Sequence, residues 1–508
     1  MSHADQSDAI SRRDSQKLRH GRLGSVAIAF FVISAAAPLT GMAGGAPFAM
    51  LLGNGAGVPF AYLLVTVLML VFGVGYVAMA RHHTSAGAFY AYIARTMGGY
   101  AGGAAAWIAL LGYNSMQIGL YGLWGVIASA FLSTVVGIEV SWWVLAFAAI
   151  VVIGVLGYRQ IDLSLKVLAI LVAGEFLIVM LFDLMVLIRG GGLGGPGGKQ
   201  GLSFSSFTFD SLTSGQLAIG LLFAAASFVG FEATTIYSEE AKEPERTVPR
   251  ATYIAVLTIG VFFMITSWLM VNAYGDDKTL VPFIGGDPSA NGLAAPTDFL
   301  FAMSNPYIGS FLTDKAMLFL FASSLFAALL AFHNAVARYA YALGREGLVP
   351  ETLGRTHQAH LSPHMGSISQ SVLAAIVVGY FLISDKSPDL QLFPWLTQLG
   401  TLAISFLMAL SALAVIIFFA TNKGLDTNPW RTLIAPAAAF VGLLVLVGYA
   451  TYKFGFLIGD TESPLAWALP GLILVAAVIG AASAALLRSR EPDAFARLGR
   501  HRGMELHE

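Results

Sequence analysis

The sequence predicts an all-α polytopic membrane protein of twelve transmembrane helices, and three observations predict it. Apolar residues make up 57% of the 508 and charged residues only 11%, where a soluble chain of this length carries about a quarter charged residues. The charges cluster between long apolar runs, most of them close to the roughly 20 residues of helix that a bilayer core of about 30 Å requires. Lysine and arginine fall unevenly on the two sides of those runs, as cytoplasmic loops collect positive charge.

The runs come in order at roughly 24–51, 57–80, 101–132, 141–158, 163–188, 214–237, 251–274, 313–343, 366–384, 393–420, 431–452 and 464–487. The first has no small-residue cleavage site and is followed by eleven more, so it reads as a span and not as a removed signal. With the N-terminus inside, 22 of the 28 Lys and Arg residues lie on the cytoplasmic side and 6 outside. Both termini are therefore expected in the cytoplasm of a cell whose inner, cytoplasmic membrane holds the chain. Residues 1–23 and 488–508 are cytoplasmic tails in this reading, and 189–213 is an extracellular loop. The stretch 275–312 is expected to be a polar, turn-rich outer loop, too short for a core of its own. "TSAGAFYAYIARTMGG" after the second run is amphipathic, and reads either as an interfacial helix or as the start of the third span.

The composition also excludes. A net charge of −1 argues against nucleic acid. With no cysteine there is no disulfide, thiolate metal site or cysteine nucleophile. No metalloprotease, nucleophile-elbow or phosphate-loop motif is present, and the isolated acids do not form the repeated rings of a channel. An enzyme is not expected, nor any cofactor or metal.

Two runs contain residues that a continuous span does not need. The first holds Pro38, Gly41, Gly44, Gly45 and Pro47 within "APLTGMAGGAPF". The sixth holds Phe228-Val229-Gly230-Phe231-Glu232, with a carboxyl group near mid-membrane that costs about 2.5 kcal/mol or more when charged. Backbone that leaves a helix at that depth must be buried or line a cavity. The two runs are five apart and run in opposite directions, the arrangement of interrupted helices at the midplane site of an inverted-repeat transporter. A half-helix N-terminus offers N–H groups to a carboxylate, and freed carbonyls take an ammonium, which suits an amino acid. The plainer reading is that the glycines only let helices pack closely.

Further candidates are polar residues in apolar runs. Glu175, central in the fifth run, is either a group that loads and unloads a proton or a structural hydrogen-bonding acid. Asp183, two turns later, is expected to be a solvated end residue. Glu232 reads as an amine ligand, a proton site or a tie across the break. His333, beside Asn334, is either a proton relay or a packed histidine. Tyr113, Asn114 and Gln117 face a cavity or bond to a neighbouring helix. Ser323 and Ser324 offer hydroxyls, but no dense oxygen cluster for sodium. Glu239, Glu240, Glu243 and Glu245, among Lys242, Arg246 and Arg250, form a salt-bridged cytoplasmic turn or a solvated loop.

At these residues the chain resembles the amino acid–polyamine–organocation (APC) transporters. "SFVGFEATTIYSEEAKEPERTVPRA" is similar to that family's F-x-G-[FW]-[DE] core followed by E-E-x-x-[ND]-P-x-[RK]-x-[IVL]-P. "SAGAFYAYIARTMGGYAGGAAAW" and "ARYAYALGREGLVPETL" are similar to its stretches after segment 2 and at the end of segment 8. The resemblance implies a five-plus-five inverted repeat with broken helices 1 and 6 (24–188 and 214–420), plus two C-terminal helices within 421–487. It also implies coupling by proton symport or by exchange. It carries substrate contacts to Ala37, Pro38, Thr40, Gly41 and Met42, where the family's usual G-S-G-like run is absent and the sequence looks more like the putrescine-importer branch. In the sixth segment it carries them to Phe228, Gly230, Phe231 and Glu232, and the cavity reading of segment 3 adds Tyr113 and Asn114. Some proton-coupled relatives hold a lysine where Glu175 stands. The coupling candidates are therefore Glu175, Glu232 and His333. The expected function is proton-coupled amino acid uptake by alternating access, with a polyamine or organic amine importer or exchanger as the alternative. The expected partners are a small-molecule substrate, protons and the lipid bilayer, as a monomer or a homodimer.

Overall fold

The computed structural model describes residues 24–82, 88–159, 165–195, 198–232, 234, 242–275, 277–286, 293, 295–357, 360 and 362–499. Glu239, Glu240, the N-terminal tail and the start of the amphipathic stretch lie outside the described residues. Every regular element among the described residues is helical. The principal ones are α1 (Ser25–Ala35), α2 (Val58–Ala80), α3 (Ala88–Met97), α4 (Gly99–Phe131), α5 (Trp142–Tyr158), α6 (Leu165–Arg189) and α7 (Leu217–Ala226). They are followed by α8 (Pro244–Tyr274), α9 (Phe299–Ile308), α10 (Leu318–Arg345), α11 (His364–Ile383), α12 (Phe393–Thr421), α13 (Ala435–Ile458) and α14 (Leu465–Arg490).

All twelve apolar runs carry helix. Among the described residues nine helices are long and apolar enough to cross a membrane, and α5 and α7 are shorter apolar helices. In that count the helical stretch Thr40–Ala80 is one element, because the last part of the first run turns through Gly53 and Gly55 straight into α2. The chain is a multi-pass membrane protein.

The long helix α4 is the centre of the bundle, packed against α10, α12 and α14. On the other side α8 packs along α2 and α1. The two interrupted runs touch at Gly53 and Gly220, where a Cβ on Gly53 would stand 2.7 Å from the Gly220 backbone. Only glycine permits that approach. Gln216 N–H donates to the Gly53 carbonyl at 2.8 Å and locks the crossing.

Three expectations are corrected. The amphipathic stretch is not the start of the third span but a separate helix, α3, whose Phe89, Tyr90, Tyr92 and Ile93 are buried against α4 and α12. Its apolar face was large enough to join the core. The outer loop contains helices, Leu280–Gly285 and α9, whose Leu280, Ile284, Phe299 and Met303 are buried. Asp183 is not a solvated end residue, since it is only 8% exposed and its carboxylate accepts a 2.7 Å hydrogen bond from Thr266 of α8. At the N-terminal end of α8, Arg246 and Glu243 pair at 3.5 Å on an exposed surface, a contact of small stabilising value.

Candidate functional site: two interrupted helices around a central cavity

The first run stops being helical after Ala35 and resumes at Pro38. Ala37 makes the turn with φ of +46°, a left-handed conformation rare for a residue with a side chain. Pro38 then starts the second half of the run, where its fixed φ suits a first helical turn and its missing N–H costs nothing. Beyond it the chain continues through π-helical turns at Thr40–Gly45 and Ala49–Asn54, of the kind often found at functional sites. In the sixth run, α7 ends at Ala226, and residues 227–232 are turns, with Gly230 at φ of +106°.

The first break is answered by Glu175 of α6. Its Oε2 accepts from the Leu39 N–H at 3.2 Å and from Ser324 Oγ of α10 at 2.8 Å. Thr40 Oγ1 in turn donates to Ser324 Oγ at 3.1 Å. A hydrogen-bonded chain, Thr40 to Ser324 to Glu175, thus joins three helices. Leu39 carries one of the free N–H groups at the start of a half-helix, the end that attracts anions.

The second break is answered from within. Glu232 Oε2 accepts from the Gly230 N–H at 2.9 Å, and its other oxygen accepts from Tyr113 Oη of α4. The Glu232 backbone carbonyl accepts from Tyr76 Oη of α2 at 3.4 Å. These bonds supply partners for backbone that has left the helix inside the protein.

Between the breaks lies a cavity of about 70 Å³. Its walls come from Ala36, Ala37, Thr40, Gly41 and Gly45 of the first run, and from Phe223, Ala226, Ser227 and Val229 of the sixth. Met116 and Leu120 of α4, Ala328 and Phe332 of α10, and Phe393, Thr397 and Gln398 of α12 complete it. Of the residues expected to touch substrate, Ala37, Thr40 and Gly41 line this cavity. Pro38, Met42, Tyr113, Asn114, Phe228, Gly230, Phe231 and Glu232 are not among its lining residues. Met42, Phe228 and Phe231 are core side chains. Asn114 donates back to Leu110 of its own helix at 2.7 Å. A larger cavity of about 560 Å³ lies elsewhere, among Gly53, Gly55, Asp210, Asp277 and Lys278 at the loop ends. It is an open cleft away from both breaks, so the smaller cavity is the candidate site.

His333 also stands outside the cavity wall. Gln117 Nε2 lies 3.3 Å from its Nδ1 and Ser367 Oγ 2.7 Å from its Nε2, while Ser367 donates to the Gly154 carbonyl at 3.1 Å. The ring cross-links α4, α5, α10 and α11. The cavity residues that sequence reasoning missed are mostly apolar, and about half of them sit in uninterrupted runs, where nothing marks them. Gln398 did carry a signal, as a polar side chain amid the apolar "FPWLTQLGTLAISF" of the tenth run.

Residues 23–479 match the model of a family described as amino acid permease. The low-affinity putrescine importer PlaP of Escherichia coli K12 is 23% identical over 328 residues, covering 63% of this chain and 67% of the importer. The branched-chain amino acid permease BcaP of Lactococcus lactis is 27% identical over 173 residues, 34% of this chain and 33% of the permease. A vacuolar cationic amino acid transporter of Arabidopsis thaliana is 26% identical over 232 residues, 46% of this chain and 34% of the transporter. These relatives are transporters and not enzymes. On the extent of that family match, the chain belongs to the amino acid permease family of the APC superfamily.

Proposed function

We propose that this chain is a secondary active transporter of amino acids, working by proton-coupled symport and alternating access. In this reading it crosses the inner membrane twelve times, with both termini cytoplasmic, and is built as two inverted five-helix repeats followed by two further helices. The observation that carries the coupling is the bond from the Leu39 N–H to Glu175, together with the chain through Ser324 to the cavity residue Thr40.

The physical logic is competition at one half-helix N-terminus. A charged Glu175 and a substrate carboxylate both seek the N–H groups at the start of the first run's second half, and they repel each other. A proton on Glu175 removes the repulsion, so proton and substrate favour one another's binding. Linkage makes that coupling reciprocal, which is what symport needs. Glu232 plays a different part: it ties the second break shut and holds Tyr113.

The amine reading keeps one supporting observation, the putrescine importer that aligns with 63% of this chain. Against it stands the cavity wall, which among the described residues contains no acid, whereas a dication calls for at least one. Labelled neutral, basic and acidic amino acids and putrescine should be offered to proteoliposomes, with and without an inside-alkaline gradient. Gradient-stimulated uptake of an amino acid is the expected result. Uptake that ignores the gradient and needs internal substrate would replace symport with exchange, and putrescine alone would replace the substrate class.

A further inference from the structure

Resting on the amino acid reading, we infer that Gln398 is a substrate ligand that selects amino acids with uncharged, hydrogen-bonding side chains.

Four polar side chains line the central cavity: Thr40, Ser227, Thr397 and Gln398. Three of them already have partners. Thr40 donates to Ser324, Ser227 Oγ lies 3.4 Å from Tyr62 Oη, and Thr397 donates to the Phe393 carbonyl at 2.7 Å. Gln398 differs. It is 1% exposed, and its side-chain oxygen is buried with no hydrogen-bond partner. A buried amide oxygen without a donor is costly and calls for a reason. In a wall whose large side chains are Met116, Leu120, Phe223, Phe332 and Phe393, the missing donor is one that a ligand brings.

The chemistry of that ligand follows from the group. A carboxamide both accepts and donates, so it pairs with another amide or with a hydroxyl. It neutralises no charge, and among the described residues no charged side chain lines the cavity to do so, which disfavours ionised substrate side chains. Gln398 belongs to α12, while the break that would hold the α-carboxylate belongs to the first run. The amide therefore meets the substrate's far end. Serine, threonine and asparagine have uncharged, hydrogen-bonding side chains of this kind.

A site built to hydrogen-bond a substrate discriminates strongly against the isostere that lacks the group, because its own polar atom is then left unpaired. The test uses two isosteric pairs, asparagine with leucine and threonine with valine. The kcat/KM of each is measured in proteoliposomes for the native protein and for Gln398→Leu and Gln398→Met. The native protein should favour the polar member of each pair at least tenfold, and both variants should lower that ratio at least tenfold. Equal efficiency within each pair, or preference for the apolar member by the native protein, overturns the inference while leaving the amino acid reading standing. An unchanged ratio in an active variant also overturns it. Uptake of putrescine in place of all four overturns the amino acid reading and the inference with it. A native protein without the polar preference overturns the inference even where both variants fail to fold.

Discussion

At the first break a left-handed Ala37 turns the chain, and the acid that answers it, Glu175, arrives from another helix. At the second break Gly230 turns the chain, and the acid that answers it, Glu232, lies two residues along. The same chemical device, a buried carboxyl group accepting from a backbone N–H freed at the break, therefore has two architectures. Glu175 bridges α6, α10 and the second half of the first run, and its network ends on a residue of the cavity wall. Glu232 closes the chain on itself, and its carboxylate also accepts from Tyr113, which is not among the lining residues. An acid brought from a distance changes the relation between helices when it gains or loses a proton. A local one mainly holds its own turn in shape.

The comparison is broken most directly at Glu232. Glu232→Ala leaves the Gly230 N–H and the Tyr113 hydroxyl without an acceptor, and each buried donor so stranded costs about 1–3 kcal/mol. The thermal midpoint in detergent should fall by several degrees, and Glu232→Gln, which keeps one acceptor oxygen, should lose roughly half as much. A Gln variant that kept its midpoint but lost tenfold in substrate affinity would make Glu232 a substrate ligand and erase the contrast.

Glu175→Gln tests the other architecture. A gradient of one pH unit supports about tenfold accumulation through one coupled proton, equivalent to about 1.4 kcal/mol. The variant should still exchange internal for external substrate, while gradient-driven accumulation falls to the level without a gradient. Accumulation that survives would move the coupling elsewhere and leave Glu175 a structural acid like Glu232.

Much of this was legible before any coordinates. Proline, glycine and charge are local signals, so the apolar runs and both interruptions could be read from residues standing side by side. The networks could not. The bond from Leu39 to Glu175 joins residues 136 apart, and that from Thr40 to Ser324 joins residues 284 apart. No spacing rule links them. Direction was equally hidden: the position of Glu232 announced a buried acid, but not that both oxygens would turn to Gly230 and Tyr113 and away from the cavity. Asp183 was misread because nearness to a helix end suggested solvent, whereas α8 covers it and Thr266 satisfies one of its oxygens. His333 stood out as a membrane histidine, yet only the neighbouring helices could show that Gln117 and Ser367 engage its ring.

The smallest expected effect sharpens the contrast at the turns themselves. A residue with a Cβ held in the left-handed region costs roughly 1–2 kcal/mol. Gly230 avoids that cost and Ala37 bears it, so reciprocal substitutions should have opposite signs. Gly230→Ala takes on that strain but regains about 0.4–1 kcal/mol through the lesser freedom of alanine in the unfolded chain, for a net loss of roughly 0.5–1 kcal/mol. Ala37→Gly gains the same strain relief but gives back about 0.4–1 kcal/mol through the greater freedom of glycine in the unfolded chain, for a net gain of roughly 0.5–1 kcal/mol. Midpoints measured side by side in one detergent would show the two shifts. Should Ala37→Gly stabilise the protein and also slow transport, the strain at Ala37 is part of how the first break moves, since that residue forms part of the cavity wall. Transport that stays unchanged would make the left-handed alanine a tolerated fault of the turn, and the working difference between the breaks would rest on Glu175 alone.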